Sequence, residues 1–182
     1  MHALPQQLIF TGAALLCASI GSVHDVRERR IPNLVTGPAI AVALVLHSVL
    51  GGWRGLGDAA IAGLIAGGVF FVFFLAGGMG AGDVKLMAAV GCFAGLPSLF
   101  MLMISTVIVG AILAIAVGLY NGRLREMLRN VGALLQHHGA RGLTPHPELN
   151  LSNARTLRLP YALPIAAGCL FTLSAIAWKV WL

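Results

Sequence analysis

Six acidic side chains occur in the 182 residues, Asp25, Glu28, Asp58, Asp83, Glu126 and Glu148, and two of them have surroundings that suit chemistry. Asp83 closes the run Gly80-Ala81-Gly82-Asp83 between a long apolar stretch and a short one, behind glycines that let a backbone or an extended substrate come close. Asp25 ends the first apolar run, just before Arg27, Arg29 and Arg30. Ionisable groups bordering apolar segments are costly, which makes them functional candidates. If the two carboxyls meet, like-charge repulsion keeps one protonated while the other is ionised. The ionised member then takes a proton from water as it attacks a peptide carbonyl. The protonated member stabilises the oxyanion and helps the amine leave. This chemistry needs no cofactor. The structural alternative is that Asp25 is a solvated charge among arginines and that Asp83 caps a helix.

The elements that must hold these acids are membrane helices. The chain is 58% hydrophobic and only 10% charged, with a mean hydropathy of +0.89, which excludes an ordinary soluble domain. Apolar runs at 8–23, 34–50, 59–79, 100–119 and 161–181 approach or reach the roughly 17 to 25 residues that cross a bilayer. A shorter run at 85–100, interrupted by Gly95 and Pro97, makes a sixth. The expectation is an all-α polytopic membrane protein of about six transmembrane helices, forming a single membrane-embedded domain over 1–182. No Lys or Arg precedes the first run and no small-x-small cleavage site ends it, so it reads as a retained span rather than a signal peptide.

An outside N-terminus places Arg27, Arg29, Arg30, Lys85, Arg123, Arg125, Arg129, Arg141, Arg155 and Arg158 in the cytoplasm, leaving only Arg54 and Lys179 outside. The positive-inside rule favours that orientation. Asp25 and Asp83 then share the cytoplasmic side, Asp58 lies across the membrane, and Trp53, Trp178 and Trp181 fall at the outer interface. The net charge of +6 follows from these loops and points to a lipid bilayer rather than nucleic acid. In the loop 121–160, Leu124, Met127, Leu128, Val131, Leu134 and Leu135 recur at helical spacing beside Arg123, Arg125 and Arg129. That describes an amphipathic anchor on the inner leaflet, while 139–158 reads as flexible loop. Glycines four apart, Gly63 with Gly67 and Gly91 with Gly95, suit close helix packing in lipid. Cys17, Cys92 and Cys169 read as buried hydrophobes. His24 reads as a solvated neighbour of Asp25, and His47 belongs at the far end of the second span. His137, His138 and His146 lack metal-ligand spacing, so no metal is expected.

Asp25-Val26-Arg27, Ile31-Pro32-Asn33, Gly80-Ala81-Gly82-Asp83-Val84-Lys85 and Leu159-Pro160-Tyr161-Ala162-Leu163-Pro164, taken in order, resemble the bacterial prepilin peptidases. These are integral-membrane aspartic peptidases of the GxGD type. The resemblance runs through nearly the whole chain and implies a GxGD aspartyl protease-like bundle with Asp25 and Asp83 as the catalytic pair. It implies that Gly80 and Gly82 shape the strand or turn holding Asp83. Ile31, Pro32 and Asn33 would fix the entry to the second span, Asn33 also serving as helix N-cap, and Lys85 would be an interfacial anchor rather than a catalytic group. Larger members carry paired CxxC motifs, which are absent here, so the chain resembles the short members that accompany Flp-type (tight-adherence) pili. Neither zinc nor N-methylation is expected. The implied partner is a prepilin, a hydrophobic membrane helix with a short basic leader, cut at the cytoplasmic face of the bacterial inner membrane. The rival classes are a transporter binding a cation or proton at the acids, and a non-catalytic subunit of a pilus or secretion assembly.

Overall fold

The computed structural model of the chain describes residues 4–142, 144 and 160–181. Its regular elements are helices: α1 (Leu4–Glu28), α2 (Asn33–Leu75), α3 (Ala81–Tyr120), α4 (Leu124–Arg141) and α5 (Ala162–Trp181). All but α4 are long and apolar enough to cross a membrane, so the chain is an all-α polytopic membrane protein. Among the described residues the helices number five instead of the expected six spans because two expected interruptions are absorbed into longer elements. With 43 and 40 residues, α2 and α3 would each measure about 60 Å, twice the hydrocarbon thickness of about 30 Å. Each is broken once, α2 at Gly52 (φ 60°, ψ −153°) and α3 at Gly95 (φ 64°, ψ 172°). Glycine alone adopts such backbone cheaply. The boundaries expected at 51–58 and 96–98 are therefore breaks at a glycine with helix resuming on both sides.

Close contacts show that the arms fold back on themselves. A β-carbon on Gly67 would touch Ala88 at 3.0 Å, and one on Gly91 would come 2.6 Å from the Ala66 Cβ. The second arm of α2 thus runs antiparallel to the first arm of α3. Gly168 rests on Thr106, and a β-carbon on Gly110 would lie 3.6 Å from Pro164, so the second arm of α3 runs antiparallel to α5. Gly21 of α1 meets Leu86. Glycines that look alike in the chain have separate roles: Gly63, Gly67 and Gly91 bring backbones together as expected, whereas Gly95 is the break. The first arm of α3 lies at the centre, with Leu86, Met87, Ala89 and Val90 fully buried. Cys17, Cys92 and Cys169 are buried free thiols, as the apolar runs implied. Trp53, beside the Gly52 break, and Trp178, near the end of α5, are exposed at the end of the bundle opposite the start of α3. The expected amphipathic helix is present and continues through Arg141. Most of the loop expected at 139–158 lies outside the described residues, as do the side chain of Trp181 and residues Arg155, Arg158, His146, Glu148 and Leu159.

A broken helix leaves the last carbonyls of its first arm without partners, and Pro97 brings no N–H to replace one. His47 answers this need. Its Nε2 lies 3.0 Å from the Phe93 carbonyl oxygen, and since a carbonyl only accepts, that nitrogen carries the proton and donates it. The ring stacks on Phe10, with centroids 3.8 Å apart and planes at 15°. Substituting His47→Leu would keep the bulk and orphan the carbonyl, an expected loss of about 1–3 kcal/mol, while His47→Gln, which keeps a donor, would lose less. Unfolding midpoints in detergent would check this ordering.

Candidate active site

Asp83 occupies the first turn of α3, where its carboxylate accepts the Gly80 N–H at 3.2 Å. The expected strand or turn is thus a helix start, and the capping role weighed as an alternative is real. Capping does not exclude chemistry, because the carboxylate keeps further lone pairs for other partners. The two glycines of the motif do different work. A β-carbon on Gly82 would lie 3.2–3.4 Å from Ile31, including its backbone nitrogen, whereas one on Gly80 would approach only the Asp83 carboxylate, at 3.2 Å. Gly82 lets the α1–α2 connection rest on the first turn of α3, and Gly80 lets the chain turn tightly beneath its own cap.

Ile31 is buried in that contact, and Pro32, at φ −65° and ψ 142°, is the N-cap residue of α2. This corrects the expectation for Asn33. It is the first residue inside α2, and its Oδ1 accepts a hydrogen bond from Lys85 Nζ at 2.9 Å instead of capping. Lys85 therefore ties the start of α2 to the start of α3 at an exposed position. Losing an exposed hydrogen bond of this kind costs about 0.5–1.5 kcal/mol, so Lys85→Met should lower the unfolding midpoint in detergent only slightly.

Asp25 lies in the last turn of α1. Its Oδ2 accepts the N–H of Ala162, the first residue of α5, at 3.4 Å. The buried Ser22 hydroxyl, one turn earlier, lies 2.8 Å from both the Ala18 and the Ala162 carbonyl oxygens and donates between them. Both polar groups of Ala162 are thus held by α1. Asp25 and Asp83 are close enough for their charges to act on one another, and the charge of Asp83 also acts on half-buried Tyr161. The consecutive residues Tyr161 and Ala162 therefore straddle the two acids. His24 turns to Glu28, its Nδ1 3.8 Å from Oε1.

The structure brings Asp25, Asp83, Gly80, Gly82 and Ile31 together, with Pro32, Asn33 and Lys85 on the adjoining helix starts. Asp58 and His47 lie towards the opposite end. Ser22 and the backbone of Ala162 are additions that sequence reasoning missed. Ser22 carried a faint signal, a hydroxyl one turn before Asp25, and Ala162 stood inside the Leu159–Pro164 block of the resemblance with no role assigned to it. Among the described residues no three His, Cys, Asp or Glu side chains gather where they could hold a metal ion.

No curated protein and no solved structure matches the chain. The type IV leader peptidase family matches residues 10–115, a stretch that includes both Asp25 and Asp83 and ends before α4 and α5. That stretch is more than half of the 182 residues, and on it the chain belongs to the type IV leader peptidase family.

Proposed function

We propose that the protein is a membrane-embedded aspartic endopeptidase that removes the leader of type IV-like prepilins, those of Flp pili in particular, at the cytoplasmic face of the inner membrane. The observation that carries this reading is the meeting of Asp25 and Asp83, residues 58 positions apart in sequence, at one end of the bundle beside Tyr161 and Ala162. Two carboxyls that feel one another share a proton, so the ionised one takes a proton from the attacking water and later passes it to the leaving amine, while the protonated one donates its proton to the developing oxyanion and recovers it as the carbonyl re-forms. Ala162 N–H and Gly80 N–H orient the two carboxylates, which keeps the water between them in line with the scissile bond. The substrate, itself a hydrophobic helix, approaches sideways through the bilayer with its basic leader on the side where the arginines of the chain gather. A transporter would place broken helix ends at its ion-binding acids, whereas here both breaks lie at the end opposite the acids. That geometry favours the peptidase.

Co-expression with a prepilin tests this. The expected result is a prepilin band shortened by its leader, unaffected by EDTA because the dyad uses no metal. A prepilin that stays full length, or cleavage that EDTA stops and a divalent cation restores, would contradict the reading.

A further inference from the structure

Helix α4 contributes nothing to the core or to the acids. None of its residues is buried, and Leu128, Val131 and Leu135 are 63%, 52% and 71% exposed. At about 100° per residue, Leu124, Leu128, Val131 and Leu135 fall within an arc of roughly 60°, with Met127 and Leu134 along one edge of it. Arg125 and Arg129 follow on one side of this arc and Arg141 on the other. Of the cations on and next to the helix, Arg123 is engaged by Glu126, with bonds of 2.7 and 2.8 Å, while Arg125, Arg129 and Arg141 are exposed and form no ion pair among the described residues.

The start of α4 is fixed rather than tethered. Arg123 N–H bonds to the Gly118 carbonyl at 2.9 Å and Gly122 N–H to Leu119 at 3.0 Å, closing α3 in the manner of a Schellman turn. Met127 and Leu124 then rest on Gly118. Three residues, Asn121 to Arg123, separate α4 from a membrane-spanning helix whose final turn exposes Leu119 and Tyr120. The apolar arc therefore starts within about 10 Å of the end of α3, at the end of the bundle that holds the acids.

We propose that α4 is an interfacial helix that docks on anionic phospholipid headgroups, with Leu128, Val131 and Leu135 in the acyl boundary and Arg125, Arg129 and Arg141 on lipid phosphates. An apolar arc flanked on both sides by unneutralised guanidinium groups, held at the end of a spanning helix, matches a negatively charged bilayer surface in shape, position and charge. The proposal concerns membrane docking and does not depend on the peptidase reading, since its test reads no cleavage.

The test uses the full-length protein with Cys17, Cys92 and Cys169 replaced and an environment-sensitive dye attached at Val131→Cys. It is reconstituted into phosphatidylcholine vesicles with or without one quarter phosphatidylglycerol. Quenching by nitroxides on shallow acyl positions should be at least about threefold stronger in the anionic vesicles. Adding Arg125→Gln, Arg129→Gln and Arg141→Gln should abolish that difference, and a dye at Asn130→Cys should remain open to aqueous acrylamide. Acrylamide access at position 131 in both lipids would overturn the proposal. So would shielding at 131 from both quenchers, which would mean that protein covers the arc, and so would equal insertion with and without phosphatidylglycerol.

Discussion

Asp25→Asn and Asp83→Asn each leave a folded, inserted protein that no longer releases a leader, and the double variant is no slower than either single one. An amide neither accepts the proton of water nor donates to the oxyanion with a carboxyl's strength, and general acid–base catalysis is worth about 10²- to 10⁴-fold. Groups that act as a unit lose their contribution together, so the effects do not add. Both substitutions spare the fold, because the amide oxygen can still accept the Ala162 N–H at position 25 and the Gly80 N–H at position 83. In the parent protein the pH profile reports two apparent constants that belong to the pair and not to either residue. Asp58→Asn, six residues past the Gly52 break and towards the opposite end, is the control and should cleave at the parental rate. Rates from co-expression and from purified protein in detergent would check all three. Retained cleavage in Asp25→Asn or Asp83→Asn would remove that residue from the pair, and an inactive Asp58→Asn would end the assignment of the dyad.

The second large effect is structural. Gly91→Val would separate the second arm of α2 from the first arm of α3. A first added carbon already falls 2.6 Å from the Ala66 Cβ, 3.0 Å from the Ala62 carbonyl oxygen and 3.3 Å from the Gly63 Cα. Two of these neighbours are backbone atoms of a packed helix and cannot turn aside. Overpacking of a yielding core costs about 1–3 kcal/mol, and an unyielding contact belongs at or above the top of that range. The expected outcome is loss of folded protein after detergent extraction. Gly68→Ala is the matched comparison, since nothing lies within 4 Å of its added carbon. It should be neutral or slightly stabilising, because alanine favours the helix by about 0.5–1 kcal/mol. A Gly91→Val protein with the parental unfolding midpoint would show that the two arms can part without cost.

How much of this was legible beforehand follows from the range over which each signal acts. Asp25 and Asp83 stood out because a carboxyl beside an apolar run has few structural reasons to be there, and the run lengths marked the membrane helices. The expectation failed where one residue type serves two ends. Gly91 and Gly95 are four residues apart in the same helix, yet one is a contact surface and the other a break; Pro97 marked an interruption near Gly95, but the glycine spacing alone paired the two for packing. The Asn33 expectation failed for a related reason, since a side chain suited to capping was taken by Lys85, 52 residues away. Ser22 and Ala162, 140 residues apart, share no local pattern. Their contact exists because α1 and α5 pack together, and although Ala162 stands in the Leu159–Pro164 block, nothing in that block points to Ser22.

The sealed far end of the central α3 arm has a bearing on energy conservation. A membrane that stores energy as a proton gradient cannot tolerate a file of water or ionisable groups running through one of its proteins. Asp83 opens at one end of this arm, and beyond it lie the fully buried Leu86, Met87, Ala89 and Val90. The stacked Phe10–His47 pair closes the other end, its imidazole proton committed to the Phe93 carbonyl. The same packing that holds the arm in place insulates it, so the proposed pair of acids would be hydrated from one side of the bilayer without short-circuiting the other.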